Sequence, residues 1–480
     1  MNSASYQSVT SDIGSRPAAP VFHNVQEMIG NTPMLELRKL DAGPCRLYAK
    51  MELLNPAQSI KDRIGLWMIE QAEREGRLDP AGDPPPTIVE ATAGNTGLAL
   101  ALIAGQRGYR MKVVVPDKMS QEKIQHLRAM GADVVLARSD VTKGHPDYYQ
   151  EVAERLAKDT PNSVYINQFG NDHNPRAHYE STAPEIWQQL EGKVDAFVCG
   201  VGTGGTLTGC GKFLKEKNPN CTVIVADPQE SIIHQLVNCG ETEPAGSWLI
   251  EGMGEDFVPD TCDLEFADEG VPVTDKEAFL AARELLEKEG ILSGSSTGAL
   301  IAGALKWCRK QTEPKNVVTF ICDSGAKYLS KMFNDYWMID NGFIEREKTN
   351  TLRDLIARRH EFGEDVTSKE DDPIGQIIKR MQMYSVSQMV VMDLRGKVAG
   401  IIDESDILLA VTHDGAAFDK PVSDFMTRRL ETIRPSADVK ELMPIFRADR
   451  VAIVVDKEGV FHGLITKIDL INYLRAGLVH

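Results

Sequence analysis

The chain has 480 residues, of which 42% are hydrophobic and 26% charged, and its formal net charge is −17. This length exceeds what one hydrophobic core covers, so we expect two or more domains, and the composition excludes a disordered chain or a small disulfide scaffold. The acidic excess repels nucleic-acid phosphates and anionic lipids, so we expect neither a nucleic acid nor a membrane as a partner.

The eight cysteines are scattered, with no CxxC pair and no cysteine or histidine run at metal-ligand spacing. This pattern favours reduced, buried thiols and predicts no metal site. Residues 1–20 have neither a basic start nor an apolar stretch, and no apolar run reaches the roughly 18 residues of a membrane helix. We therefore expect a flexible segment at 1–20 and a soluble, cytoplasmic protein.

From about residue 40 to 340, short β-branched runs alternate with helical patterns, which is typical of an α/β fold with a parallel sheet. The predicted buried strands are 86–91, 111–116, 132–137, 195–200, 222–227 and 316–322. Most of them run directly into a Gly, Ser or Thr turn. Because ligands bind at the carboxyl ends of strands in such sheets, these turns are the candidate site.

Lys61 lies in the segment Ser59–Arg63, directly before an amphipathic stretch. A lysine at the start of a helix is commonly a solvated surface charge. The alternative is an amine whose pKa is lowered by burial and which forms a Schiff base with a carbonyl. The segment alone leaves both interpretations open.

The second segment, residues 90–97, links a predicted strand to a predicted helix. Its small residues let backbone N–H groups approach an anion at the helix N-terminus, and Thr92, Asn95 and Thr96 add side-chain donors. This loop suits a substrate carboxylate. A capped turn explains one of these polar residues, but hardly three.

The third segment, Gly200–Thr206, also links a strand to a helix and favours a phosphate site at the positive end of the helix dipole. Its glycines at 200, 202 and 205 equally fit the dinucleotide pattern, with Asp227 placed roughly where a ribose-binding acid would lie. A nicotinamide-dependent oxidoreductase therefore stays open at this point.

The fourth segment, Cys322–Gly325, ends the last predicted strand of this region. An acid or hydroxyl there could meet a heterocyclic nitrogen. A carboxylate would keep that nitrogen protonated, whereas a serine hydroxyl would leave it largely neutral. The alternative is a polar turn.

The amino-acid composition changes near residue 345, where charged residues replace the β-branched runs. The charged segment 346–372 predicts a helix followed by an exposed linker. Beyond it the chain repeats, because residues 390–411 match residues 453–474. Asp406 falls on Asp469 at an offset of 63 residues, which predicts two copies of a small β-turn-β-α module packed against each other.

Together the four segments supply an amine, a carboxylate loop, a phosphate loop and a ring-nitrogen partner, the parts that hold pyridoxal phosphate and an amino acid. The runs NPAQSIKDR, TAGNTG, GTGGT and SGSSTG resemble those of the cystathionine β-synthase and cysteine synthase family, pyridoxal-phosphate enzymes of fold type II. The resemblance implies a catalytic domain at 21–345, with open parallel sheets, helices on both faces and two subdomains. The repeat at 373–480 resembles a tandem pair of cystathionine-β-synthase (CBS, or Bateman) domains.

The resemblance also implies individual roles. Lys61 would carry the cofactor and act as the base, Asn95 would bond the cofactor's 3′-oxygen, and Ser324 would face its pyridine nitrogen. The cofactor phosphate would be bound by Gly202, Thr203, Gly204, Gly205 and Thr206. The substrate carboxylate would be held by Thr92, Ala93, Thr96 and Gln168.

In the tail, Thr466 and Asp469 keep the pattern that binds an adenosine ribose in the second copy. In the first copy Asp403 stands where Ser or Thr is usual, ahead of Asp406. The resemblance implies S-adenosylmethionine, AMP or ATP as the regulatory ligand and a homodimer or higher homo-oligomer as the assembly. No Cys or Pro-Cys motif precedes Cys45, so haem is not expected.

The implied reaction condenses L-serine with L-homocysteine to L-cystathionine, with hydrogen sulfide release from cysteine as a further implied output. Phe169 and Glu255 replace tyrosines of the animal enzymes near the second-substrate pocket. A cysteine synthase using O-acetylserine and sulfide remains the main alternative. A nicotinamide-dependent oxidoreductase and a nucleotide sensor are the other classes left open.

Overall fold

The computed structural model describes residues 20–478, apart from Ala93, Lys118, Ser120, Lys143 and residues 346–348. Nearly all of the predicted segment 1–20 lies outside the described residues. The chain forms two compact units, the first ending at Met332 and the second beginning at Phe333. No described helix combines the length and apolar composition that crossing a bilayer requires.

The first unit contains two sheets. Its strands are β1 (Met34–Leu37), β2 (Arg46–Lys50), β3 (Thr87–Ala91), β4 (Arg110–Pro116), β5 (Asp133–Ala137), β6 (Ser163–Tyr165), β7 (Ala196–Cys199), β8 (Thr222–Pro228), β9 (Glu269–Val273) and β10 (Asn316–Phe320). Its helices are α1 (Lys61–Arg74), α2 (Asn95–Arg107), α3 (Gln121–Ala129), α4 (Tyr149–Asp159), α5 (His173–Ala177), α6 (Ala183–Gln189), α7 (Gly205–Lys217), α8 (Ile233–Cys239), α9 (Asp275–Glu289) and α10 (Ser295–Cys308).

The strand orders are β1-β2-β10-β7-β8-β9 in the larger sheet and β5-β4-β3-β6 in the smaller one. Neighbouring strands are parallel except for the antiparallel pair β1–β2. Strands β3 and β7 are buried at every position, as expected of parallel strands covered on both faces. The α/β fold class is confirmed, and each of the six strands predicted from sequence is present within two residues at either end.

Close helix packing positions the start of α1 beside the start of α2. A Cβ added at Gly65 of α1 would lie 3.1 Å from Ala99 Cβ of α2, so glycine permits this approach. Both residues are fully buried or nearly so, in the core that also covers the smaller sheet. The first residues of the two helices, Lys61 and Asn95, are thereby held at one side of this sheet.

A buried ion network fixes the first turn of α1. The Arg63 guanidinium donates to Glu52 Oε2 and to Glu185 Oε2, each at 2.7 Å, and Lys50 Nζ lies 2.7 Å from the same Glu185 oxygen. Burial would raise the pKa of Glu185, but Arg63 and Lys50 lower it to about 2. The network therefore stays ionised at neutral pH and anchors the segment that carries Lys61.

The second unit consists of two similar modules. Its strands are β11 (Thr367–Lys369), β12 (Gln388–Met392), β13 (Val398–Asp403), β14 (Thr432–Ile433), β15 (Ala452–Val455) and β16 (Phe461–Ile465). Its helices are α11 (Asp335–Asp340), α12 (Ile374–Tyr384), α13 (Glu404–His413), α14 (Leu442–Arg447) and α15 (Lys467–Leu478). Each module has a short strand parallel to the first strand of a β-hairpin, followed by a helix.

The predicted repeat is confirmed, and both copies share the same register shift in their β-hairpins. Val391 pairs with Gly400 in the first module and Val454 with Gly463 in the second, and the register shifts directly after each pair. Equivalent positions are 63 residues apart, since 454 minus 391 and 463 minus 400 both give 63. Side chains of both sheets also pack together, including Met392 and Phe461.

The segment 346–372 is folded over much of its length, where an exposed linker was expected. Leu352, Leu355 and Ile356 are buried in the core of the second module, and Thr367–Lys369 form β11. Their burial removes apolar surface from water, which outweighs the charged character of the surrounding sequence. The compact boundary lies at Met332, ahead of residue 345, and the functional domain limits stay a prediction.

Candidate active site

A cavity of about 1230 Å³ lies in the first unit. Its walls include the loops that follow β3, β7 and β10, together with the first residue of α1. The site therefore lies at the carboxyl ends of parallel strands, where ligands bind in open α/β sheets.

Lys61 begins α1 and lines this cavity. Among the described residues, none accepts a hydrogen bond from Lys61 Nζ or forms an ion pair with it. Burial lowers the pKa of Lys61, opposed by the negative potential of Cys322 and Asp323. A lowered pKa increases the neutral fraction of the amine, and the neutral amine is the nucleophile that attacks a carbonyl.

The loop after β3 brings polar side chains to the cavity wall. Thr92 Oγ1 accepts a hydrogen bond from Gly94 N–H at 3.1 Å, and Thr96 Oγ1 donates to Gln168 Oε1 at 2.5 Å. All four residues line the cavity, and Gln168 comes from a separate segment of the chain. The predicted carboxylate loop and Gln168 thus lie together, whereas Ala93 lies outside the described residues.

Asn95, the first residue of α2, belongs to a partly buried hydrogen-bond network. Its Nδ2 donates to Asp323 Oδ2 at 2.9 Å, and its Oδ1 accepts from Lys327 Nζ at 2.6 Å. Tyr328 OH donates to the same Asp323 oxygen at 2.9 Å. An amide nitrogen has two N–H groups, and this network uses one of them, so the other can donate to a cofactor oxygen.

The loop after β7 requires glycine at Gly204 and Gly205, and also at Gly202, where a Cβ would lie 2.6 Å from the Gly252 carbonyl oxygen. Gly204 has φ = +84° and a Cβ there would lie 2.2 Å from Cys262 Cβ; a Cβ at Gly205 would lie 2.0 Å from Asn174 Oδ1. Asn174 Nδ2 also donates to Thr203 Oγ1 at 2.8 Å. The glycines open the N-terminus of the 13-residue helix α7 towards the cavity, which suits a phosphate group.

His178 is a buried residue of this site that the sequence did not indicate. Its Nε2 lies 3.3 Å from Thr206 Oγ1, and its Nδ1 lies 2.9 Å from Thr182 Oγ1. Burial lowers the pKa of His178 well below its usual value, and Lys61 and Arg63 add to this effect. The ring is therefore neutral and orients the Thr206 hydroxyl without adding charge.

Two serines, Ser324 and Ser296, are candidates for the residue that faces a heterocyclic ring nitrogen. Ser324 is not among the described residues that line the cavity, and its Oγ accepts a hydrogen bond from Ala326 N–H at 3.3 Å as the cap of a short 3₁₀ turn. Ser296, in the first turn of α10, does line the cavity beside Cys322. The sequence feature that could have indicated Ser296 is the SGSSTG run at 293–298, which contains it.

The second unit carries the predicted nucleotide residues at two helix starts. Thr466 donates to Asp469 Oδ2 through its backbone N–H, at 2.7 Å, and through Oγ1, at 2.6 Å. In the first module Asp406 N–H donates to Asp403 Oδ1 at 2.8 Å, so two carboxylates lie where the second module has a hydroxyl and a carboxylate. Burial and the charge of Asp403 raise the pKa of Asp406.

Comparison with known proteins follows the same division into units. The family model described as pyridoxal-phosphate dependent enzyme matches residues 25–323, and the CBS domain model matches residues 362–413 and 422–476.

No group of three or more His, Cys, Asp or Glu side chains suited to a metal ion occurs within the described ranges.

Cystathionine β-synthase of Dictyostelium discoideum is 35% identical over 472 residues, covering 95% of this chain and 92% of the relative. The O-acetylserine-dependent cystathionine β-synthase of Bacillus subtilis is 40% identical over 313 residues, which is 65% of this chain and 97% of the relative. A solved hydrogen sulfide-producing enzyme from Fusobacterium nucleatum has a TM-score of 0.59 and 40% identity, covering 64% of this chain and all of that one.

The fold and the amine-bearing site therefore define a pyridoxal-phosphate-dependent enzyme with a tandem CBS module. Within that class, this chain belongs to the cystathionine β-synthase family. The assignment made from sequence is confirmed, and the dinucleotide interpretation of the glycine loop is set aside.

Proposed function

We propose that this enzyme condenses L-serine with L-homocysteine to L-cystathionine and water. The serine Cβ–O bond breaks, a Cβ–S bond forms, and the thiol proton leaves with the hydroxyl as water. The observation that carries the proposal is the Lys61 amine, which pairs with no described residue and lies in one cavity with the glycine loop at α7 and with Thr92 and Thr96. Family membership over the full length supports the same reaction.

The residues present fit pyridoxal phosphate. Lys61 would hold its aldehyde carbon, Gly202, Thr203, Gly204, Gly205 and Thr206 would hold its phosphate, and Asn95 would hold its 3′-oxygen. When bound, this cofactor supplies an electron sink for a carbanion at the substrate Cα. Lys61 Nζ would take and return the Cα proton, a role that the lowering of its pKa by burial favours.

We propose Ser296, in place of Ser324, as the partner of the pyridine nitrogen, because Ser296 lines the cavity and Ser324 caps a turn. A hydroxyl there leaves the ring nitrogen largely neutral, which favours elimination over a long-lived carbanion. Ser296→Asp should favour a protonated ring nitrogen, unlike the wild type, and shift the cofactor absorbance, whereas Ser324→Ala should leave that spectrum unchanged.

The donor carboxylate would be held by Thr92, Thr96 and Gln168, with Ala93 as a further predicted contact. Gln168 uses its carbonyl oxygen for the Thr96 hydroxyl, so its two amide N–H groups are available to a carboxylate. Thr92 Oγ1 accepts from Gly94 N–H and can donate its own proton to the same anion.

A side-by-side product assay on the purified protein tests the reaction. Serine with homocysteine is compared with O-acetylserine with sulfide, and cystathionine and cysteine are quantified by mass spectrometry. Dominant cystathionine supports the proposal. Dominant cysteine would instead support the second candidate, a cysteine synthase, which the 40% identity over 313 residues to cysteine synthase A of Salmonella typhi favours.

We further propose that the tandem CBS module binds an adenosine-bearing ligand at Thr466 and Asp469, with Asp406 marking the altered site of the first module. S-adenosylmethionine, AMP and ATP are the candidates. Calorimetry with each, on the wild type and on Asp469→Ala, tests this regulation, and the absence of heat with all three would refute it.

We propose that the protein acts as a homodimer or higher homo-oligomer in the cytoplasm, where its reduced cysteines would persist. None of the eight cysteines, all of them described, forms a disulfide. Light scattering of the purified protein measures the assembly, and a monomer at working concentration would refute that part of the proposal.

A further inference from the structure

Three charged side chains of the cavity wall form a cluster, and none of them is among the residues proposed above to hold the cofactor or the donor carboxylate. Lys331 Nζ lies 2.6 Å from Glu251 Oε1, and Lys123 Nζ pairs with Glu251 Oε2. Lys123 belongs to α3, which neighbours the smaller sheet, whereas Glu251 and Lys331 belong to loops on the side of the larger sheet. All three line the same cavity as Lys61.

The charges of this cluster do not cancel. Two ammonium groups share one carboxylate, which leaves a net charge of +1 inside a chain whose total is −17. Burial would raise the pKa of Glu251, but Lys123 and Lys331 lower it, so the carboxylate stays ionised. An excess cation in a partly desolvated cavity attracts an anionic group more strongly than one in water.

The three side chains line the cavity, and two of them, Lys123 and Glu251, are largely shielded from bulk solvent. The exposed fractions are 19% for Lys123, 20% for Glu251 and 38% for Lys331. A ligand group in the cavity can therefore reach both lysines and the glutamate without unfolding a neighbouring element.

We propose that Lys123, Glu251 and Lys331 bind the headgroup of the acceptor amino acid. The acceptor's α-carboxylate pairs with the two lysines, and its α-ammonium pairs with Glu251. A zwitterion matches the alternation of cation, anion and cation, and its thiol end remains free to reach the donor carbon. The inference rests on the proposed function, since sulfide or a simple thiol has no headgroup to bind.

The cluster is satisfied internally when no headgroup is present, because each lysine already pairs with Glu251. Small thiols therefore meet no lysine or glutamate of this cluster without a hydrogen-bond partner, and they can still react. Recognition of the headgroup would appear in the KM of amino-acid acceptors and would leave the KM of acceptors without a headgroup unchanged.

Steady-state kinetics of the full-length holoenzyme with serine and three acceptors test this subsite. Homocysteine carries both headgroup charges, 4-mercaptobutyrate carries the carboxylate alone, and 2-mercaptoethanol carries neither. Lys331→Gln should raise the KM for homocysteine and for 4-mercaptobutyrate by about tenfold, and change the KM for 2-mercaptoethanol by less than about twofold. Lys331→Arg should restore most of the loss, since it returns the charge.

The variant Glu251→Gln distinguishes recognition of the acceptor's ammonium group from recognition of its carboxylate. It should raise the KM for homocysteine, because the ammonium loses its partner. The KM for 4-mercaptobutyrate should be no higher than in the wild type. Lys288→Gln is the matched control, because Lys288 forms a similar lysine–carboxylate pair with Glu284 outside the cavity. All three acceptors should react with this control as with the wild type.

Turnover with 2-mercaptoethanol shows in each variant that the site is folded. Equal losses with all three acceptors, or unchanged KM values for homocysteine, would overturn the subsite while cystathionine formation by the wild type still stands. A wild type that reacts with 2-mercaptoethanol or sulfide and makes no cystathionine would overturn the proposed function, and the subsite with it.

Discussion

Lys327 Nζ donates a hydrogen bond to Asn95 Oδ1 at 2.6 Å and thereby joins two cavity residues that lie 232 positions apart in the chain. Burial lowers the pKa of Lys327, whereas Asp323 and Asp62 raise it. The contact fixes which end of the Asn95 amide faces Lys327 and which end donates. Lys327 is therefore a positioning residue for the side chain expected to bond the cofactor.

We predict that Lys327→Gln weakens pyridoxal phosphate binding by about tenfold, because a hydrogen bond to a charged group contributes roughly 1.5–3 kcal/mol. Titration of the apoprotein with pyridoxal phosphate measures the dissociation constant. Lys215→Gln is the control, since Lys215 pairs with Asp268 at the far end of α7. Equal affinities for wild type and Lys327→Gln would contradict the positioning role.

Lys61→Ala should retain pyridoxal phosphate by its phosphate contacts and lose β-replacement by several orders of magnitude, because the covalent attachment and the base disappear together. Borohydride treatment followed by mass spectrometry should fix the cofactor to the wild type and not to the variant. Substantial cystathionine formation by Lys61→Ala would show that another group performs proton transfer.

The loops at the strand ends were predictable because their chemistry is local. A strand, a glycine-rich turn and a helix start are contiguous in sequence, so an anion site at the Gly202–Thr206 loop can be predicted without tertiary contacts. The Lys327–Asn95 contact is different, since these residues follow strands of different sheets and only tertiary packing brings them together. Ser324 was expected as the ring-nitrogen partner because its segment ends a predicted strand, and only the fold shows that Ser296 lines the cavity.

The segment before β11 was misjudged for a related physical reason. Leu352, Leu355 and Ile356 have the three- and four-residue spacing of a buried face, but they stand among charged neighbours that resemble a solvated linker. Their burial depends on the second module, which lies about 100 residues further along. Local composition does not contain that information.

Gly204→Ala should abolish high-affinity cofactor binding, because its Cβ would lie 2.2 Å from Cys262 Cβ in a turn with φ = +84°. The steric conflict moves the backbone N–H groups at the start of α7. Gly76→Ala is a matched control, with φ = +70° and nothing within 4 Å of the added Cβ. Thermal unfolding with and without pyridoxal phosphate should show the stabilisation by cofactor in Gly76→Ala and little of it in Gly204→Ala.

Glu90 makes stability depend on pH in a predictable direction. Burial raises the pKa of Glu90 to about 8, against hydrogen bonds from the backbone N–H groups of Ala91, Gln168 and Asn167. The folded protein then holds this proton at pH values where the unfolded chain, with a carboxyl near 4.5, has lost it. The contribution of Glu90 to stability is therefore fully present below pH 4.5 and is lost as the pH rises towards 8.

The isosteric variant Glu90→Gln removes this titration and keeps the side-chain shape. We expect the free energy of unfolding of the wild type, relative to Glu90→Gln, to fall between pH 5 and 8 by at most about 1.4 kcal/mol per pH unit. Urea unfolding of both proteins at several pH values measures the difference, with groups common to both cancelling. Parallel profiles would mean that Glu90 is ionised in the folded protein, and that its hydrogen bonds to the Gln168 segment outweigh its burial.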